Sequence, residues 1–215
     1  MILSLIINIA IVIMVAFSLY AMYVGFNFMG KKGEMEALGN EMFRYFTIDS
    51  NILMGICSLI MAIGEIMVVL GYSNELSPVI YTVKLVGTSA VMLTLLVTTF
   101  FLVPQFKNPI VLFYNSNLFF HAVVPILAFV SFVFVENGIN LPLSSSIIGA
   151  LPTMIYAVYY VEEIYRHLDN GRVDKYYDFY NFTGGKKEMI PVSATVVIVI
   201  SYLISLMVWF LNSAF

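Results

Sequence analysis

Arg44-Tyr45-Phe46-Thr47-Ile48-Asp49-Ser50-Asn51 carries the chain from a charged loop into a long apolar run, and takes hydroxyl, carboxamide and carboxylate groups with it. In hydrocarbon each unpaired polar group costs several kcal/mol, so such groups need partners or a purpose. The stretch therefore decides two things. It marks where a membrane span begins, and it nominates the side chains that a buried site would use.

Outward from it, the composition points the same way. The chain of 215 residues is 61% hydrophobic and 11% charged, against roughly 25% charged in ordinary soluble domains. Its apolar residues fall into six runs, over residues 3–25, 45–71, 79–103, 113–135, 143–165 and 190–211. Each is near the ~20 residues that cross ~30 Å of hydrocarbon. The expected fold is all-α, an integral-membrane six-helix transmembrane bundle, with residues 1–215 forming a single six-span domain. The first run lacks a basic n-region and is as long as a full span, so it reads as a retained helix rather than a signal peptide.

Lys31, Lys32, Arg44, Lys107, Arg166, Arg172, Lys175, Lys186 and Lys187 all lie in the first, third and fifth loops; the tenth basic residue, Lys84, lies inside a run. The positive-inside rule then puts the odd-numbered loops in the cytoplasm and both termini outside. Cys57, the single cysteine, sits in mid-run and reads as a small buried hydrophobe.

Along the chain, the first run reads as packing, with Ser18, Tyr20 and Tyr23 as the polar side chains given weight there. The loop that follows, with Gly30, Gly33, Gly39, Lys31, Lys32, Glu34, Glu36 and Glu41, reads as a solvated connector. The second run is different. At about 100° per residue Asn51, Met54, Ser58 and Glu65 stay within ~40° of Thr47, which makes one polar stripe facing the bundle interior. Asp49 falls on the opposite side and reads as structural. Glu65 and Lys84 both lie near the outer ends of neighbouring runs joined by a short turn, so they form a candidate intramembrane ion pair.

The fourth run passes through Asn117 and His121 to Pro125. Proline removes the backbone bond that would satisfy the His121 carbonyl, and Asn117, one turn earlier, is placed to orient the imidazole. The fifth run aligns Pro152, Tyr156, Tyr160 and Glu163. The loop after it, rich in Tyr176, Tyr177, Tyr180 and Phe182, reads as an amphipathic lid on the membrane surface, with His167 as a solvated residue.

Zinc chemistry wants three or four ligands, and one intramembrane histidine does not supply them. Phosphate-loop, dinucleotide and Gly-x-Ser-x-Gly patterns are absent, no cofactor is implied, and the basic loops leave no nucleic-acid footprint. A hydroxyl and an imidazole remain. Thr47 and His121 lie at similar depths, and a threonine becomes a nucleophile only beside a base such as imidazole.

Tyr45-Phe46-Thr47-Ile48-Asp49-Ser50-Asn51, His121 four residues before Pro125, and Tyr177-Asp178-Phe179-Tyr180-Asn181-Phe182 together resemble the androgen-induced-protein family of multi-spanning membrane proteins and its bacterial relatives. Animal members of that family are threonine hydrolases that cleave fatty acid esters of hydroxy fatty acids. The resemblance implies Thr47 as nucleophile, His121 as base, a membrane lipid or lipid-like small molecule as substrate, and the bacterial cytoplasmic membrane as the setting. Ser50 and Asn51 mark the bacterial form of the motif. Asn51 and Asn117 are candidates for orienting groups or oxyanion donors. The competing reading is a non-enzymatic lipid-binding or small-molecule or ion transport protein whose cavity is lined by the polar stripe, Glu65 and Lys84. A third is a structural bundle that packs with a partner.

Overall fold

A computed structural model describes residues 1–33, 37–137 and 139–215; Glu34 and Glu36 of the first connector lie outside them. Six helices are long and apolar enough to span a membrane: α1 (Ile2–Val24), α2 (Phe46–Val69), α3 (Pro78–Gln105), α4 (Ser116–Val135), α5 (Ser144–Arg166) and α6 (Met189–Ala214). The chain is an all-α, multi-span membrane protein.

Local chemistry sets the helix ends. Gly25 takes a left-handed φ of 71° and donates to the Ala21 and Met22 carbonyls, which closes α1 as glycine C-caps do. Ser77 caps α3 by accepting from the Val79 N–H, with Pro78 in the first turn, where a missing N–H costs nothing. Helix α3 is the most buried of the six and packs against α2, α4, α5 and α6. It is the axis of the bundle.

The first, third and fifth loops meet at one end. Asn115 donates to Asn27 and to the Lys31 carbonyl, Arg44 to the Tyr176 carbonyl, and Asn181 to Gln105. This is the basic end. At the far end Ser4 reaches Glu136, and Trp209 donates to the Leu141 carbonyl at 2.8 Å.

Two loop expectations need correction. Within the first connector, Gly39–Arg44 forms a 3-10 turn whose Met42 is buried with Met22, Ile48 and Phe120, because a methionine beside an apolar pocket gains more from burial than from water. Residues 177–183, expected as an amphipathic surface lid, instead turn inward. Tyr180 is buried among Tyr45, Tyr160, Phe179 and Phe182. Asp178 explains the turn, for its carboxylate accepts from the Tyr160 hydroxyl, the Phe182 and Thr183 N–H groups and the Thr183 hydroxyl. Four donors make a buried carboxylate tolerable. His167 is exposed and stacks on Tyr177 with ring centroids 3.7 Å apart.

Helix α4 is irregular. Residues Phe119–Val123 and Ser131–Val135 are π-helical, and Val124 donates to Phe119, five residues back. In that register the acceptor that Pro125 leaves unmatched is the Phe120 carbonyl rather than that of His121. Asn51 fills the gap, donating to Phe120 O at 3.2 Å.

Candidate functional site

Thr47 is the second residue of α2 and half-buried. Its carbonyl accepts from Asn51 Nδ2 at 2.7 Å and Ser50 Oγ at 3.1 Å, and Ser50 Oγ also meets Thr94 Oγ1 at 2.9 Å. The backbone around Thr47 is thus fixed by two side chains of its own motif, one of them bridging to α3. The Tyr180 phenol lies against the Thr47 side chain and the Phe46 and Thr47 backbone. These N–H groups belong to the first turn of α2, which has no acceptor within its own helix. Burial pushes the Tyr180 phenol up, as it does that of Tyr45, so both keep their protons at neutral pH and Tyr180 remains a donor. Asp49 lies half-buried in the same first turn, where a carboxylate suits the positive end of a helix.

His121 sits in the first π-helical turn of α4, 3% exposed. Its Nδ1 is 2.7 Å from the Leu112 carbonyl, and the ring stands edge-on to Phe113 with centroids 6.2 Å apart. A carbonyl only accepts, so Nδ1 carries the hydrogen and Nε2 of the neutral ring holds the lone pair. That is the tautomer a base needs. Leu112 belongs to a short 3-10 turn, Pro109–Phe113, in the third loop. The residue that sets the tautomer thus contributes a backbone atom.

Thr47, Asn117 and His121 line one narrow pocket with Tyr45, Leu102 and Tyr180. Thr47, Leu102 and Tyr180 also line a second, apolar pocket with Thr94, Tyr156 and Phe182. A third shares Tyr156, Phe182 and Val197 with the second and runs between α5 and α6 towards Ile164 and Ile190. Thr47 therefore lies on the wall shared by the narrow pocket that reaches His121 and an apolar cleft. Asn51 lines neither; its amide hydrogens go to the Thr47 and Phe120 carbonyls, so it braces α2 to α4 and orients the groups on either side.

Glu65 and Lys84 lie near the far end. Both are buried, but the ion pair of Lys84 is with Glu136, Nζ to Oε1 at 3.7 Å, and not with Glu65. Lys84 also donates to Asn8 Oδ1 and to Ser58 Oγ. Glu136 Oε1 accepts from Ser4, Asn8 and Ser131 at 2.9, 2.7 and 2.5 Å, and Asn212 donates to the Phe132 and Glu136 carbonyls. Helix α1, read as packing with Ser18, Tyr20 and Tyr23 as its polar residues, supplies two members of this network through Ser4 and Asn8. Glu136 follows the last apolar residue of its run, a position where a carboxylate looks interfacial in the sequence. The signal available was Lys84 itself, since a buried ammonium requires an anion.

No family model, curated protein or solved structure matches the chain.

Proposed function

We propose that the protein is an intramembrane hydrolase of fatty acyl esters, working at the basic end of the bundle. The observation that carries the reading is that Thr47 and His121 line one cavity while Thr47 also borders an apolar cleft. The resemblance of the Tyr45–Asn51, His121 and Tyr177–Phe182 motifs to the androgen-induced-protein family supports it. So does the backbone bond that leaves Nε2 of His121 as the acceptor nitrogen.

Thr47 Oγ attacks the ester carbonyl carbon as His121 Nε2 takes its proton. The tetrahedral oxyanion is met by the Tyr180 phenol, with Asn117 on the opposite wall. Collapse expels the alcohol, which leaves with the proton from His121. Water, deprotonated by the same nitrogen, then attacks the acyl-threonine and releases the fatty acid. The acyl chain lies in the cleft between α5 and α6. By the distribution of basic residues the basic end faces the cytoplasm, with both termini outside, in a bacterial cytoplasmic membrane.

An alkyl fluorophosphonate tests this, because it traps hydroxyls made nucleophilic by a neighbouring base. The adduct is expected on Thr47 of the purified protein. His121→Ala is expected to slow its formation by about 10²- to 10⁴-fold in a protein that still unfolds in one cooperative thermal transition. Thr47→Ser should retain labelling and Ser50→Ala should change little. An adduct on another residue, or one that forms equally fast without the imidazole, overturns the proposal.

A further inference from the structure

The far-end network contains one charge too many. Lys84, Glu136 and Glu65 are 0%, 3% and 1% exposed, so two carboxylates share one ammonium inside the membrane-spanning part of the protein. If both were ionised, the cluster would carry a net negative charge where an uncompensated ion is very costly.

The donors are not shared equally. Glu136 Oε1 takes three hydrogen bonds and the ammonium, which is the environment of an anion. Glu65 Oε2 is buried with no partner among the described residues. The group beside Glu65 that can donate is the Ser4 hydroxyl, and Ser4 already donates to Glu136. Glu136 Oε2 is also unmatched, so the difference between the two carboxylates lies in what surrounds their other oxygens.

We propose that this cluster is a proton-binding site in which Glu65 carries an exchangeable proton and Glu136 remains the anion paired with Lys84. The proton brings the cluster to neutrality and lets Glu65 stay buried without the donors an anion needs. The ionisable groups within electrostatic reach are Lys84 and Tyr81 on α3, Glu136 at the end of α4 and the Met1 amine before α1, with Cys57 beside Lys84. Glu65 lies four residues before the end of α2 at Val69, or about 6 Å along the helix, so a short path separates it from the far surface. The site is independent of Thr47 and His121, and its occupancy sets the net charge held between α1, α2, α3 and α4.

Dicyclohexylcarbodiimide, an apolar reagent that modifies protonated carboxyls, tests the assignment. The purified full-length protein is treated at mildly acidic and at alkaline pH, in sodium chloride and in choline chloride, and the adduct is mapped by mass spectrometry. The expected adduct is on Glu65, declines as pH rises, and is the same in both salts. Glu65→Gln should lose it, and Lys84→Met, which removes the ammonium from Glu136, should add a second adduct there. Labelling of Glu136 alone, labelling of Glu65 that ignores pH, or protection by sodium overturns the proposal, the last in favour of a metal-cation site. Should the reagent fail to react, the acid-minus-alkaline infrared difference spectrum decides. A protonated-carboxyl band present in the native protein and lost in Glu65→Gln supports the site, and its absence or its persistence in the variant overturns it.

Discussion

At the basic end, the buried polar side chains of the Thr47 motif are matched mostly with backbone atoms: Asn51 with two carbonyls, His121 with the Leu112 carbonyl, Tyr156 with the Arg44 carbonyl at 2.6 Å. At the far end, side chains from four helices converge on one another, with Lys84 and Glu136 at the centre. Matching to backbone holds a residue in place while leaving its reactive atom uncommitted, and the cavities lie beside those atoms. Matching side chain to side chain spends the reactive atoms on cohesion. The difference separates an end whose polar side chains are fixed by backbone carbonyls from an end where they tie four helices together, leaving Glu65 Oε2 and Glu136 Oε2 unmatched.

Several substitutions break or sharpen this contrast. The largest stability effect is expected for Lys84→Met, which strands the Glu136 carboxylate and should cost about 3–5 kcal/mol in denaturant unfolding of the detergent-solubilised protein. Adding Glu136→Gln should recover part of the loss, and strictly additive costs would show that the pair is not coupled. A smaller loss, about 1–3 kcal/mol, is expected for Tyr160→Phe, which takes one of four donors from Asp178. It should be read as faster proteolysis within residues 177–185 and slower fluorophosphonate labelling of Thr47, because Tyr180 loses its anchor. Unchanged proteolysis would mean that Asp178 does not pin the turn. The smallest is Trp209→Phe, which frees the Leu141 carbonyl at roughly 1 kcal/mol, and should leave Thr47 labelling untouched. A labelling change there would mean that the two ends are mechanically linked.

The contrast also shows what the sequence could convey. Six spans follow from hydropathy alone, since length and composition suffice to identify a membrane-crossing helix. That α3 is the axis does not, because which helices neighbour it is a matter of tertiary packing. The polar stripe of α2 is legible by periodicity: Asn51, Met54, Ser58 and Glu65 are all buried and Thr47 is half-buried. The partner of Lys84 was not, because Glu136 is distant in sequence and adjacent only after folding. Leu112 illustrates a deeper limit, for its contribution is a carbonyl, which every residue has and no residue type announces. The inward aromatic turn is hidden in the sequence for a related reason. Tyr176 is exposed and Tyr180 buried, and the decision between them rests on Asp178 gathering its donors, not on aromatic content.

The two hydrogen bonds that Asn51 donates restrict motion between α2 and α4. Its single amide group holds the Thr47 carbonyl on α2 and the Phe120 carbonyl on α4, immediately before His121. The hydroxyl-bearing residue and the imidazole-bearing helix cannot slide or rotate past one another without breaking one of those two bonds. The separation of Thr47 from His121 is therefore governed by a strut lying outside the pocket they share.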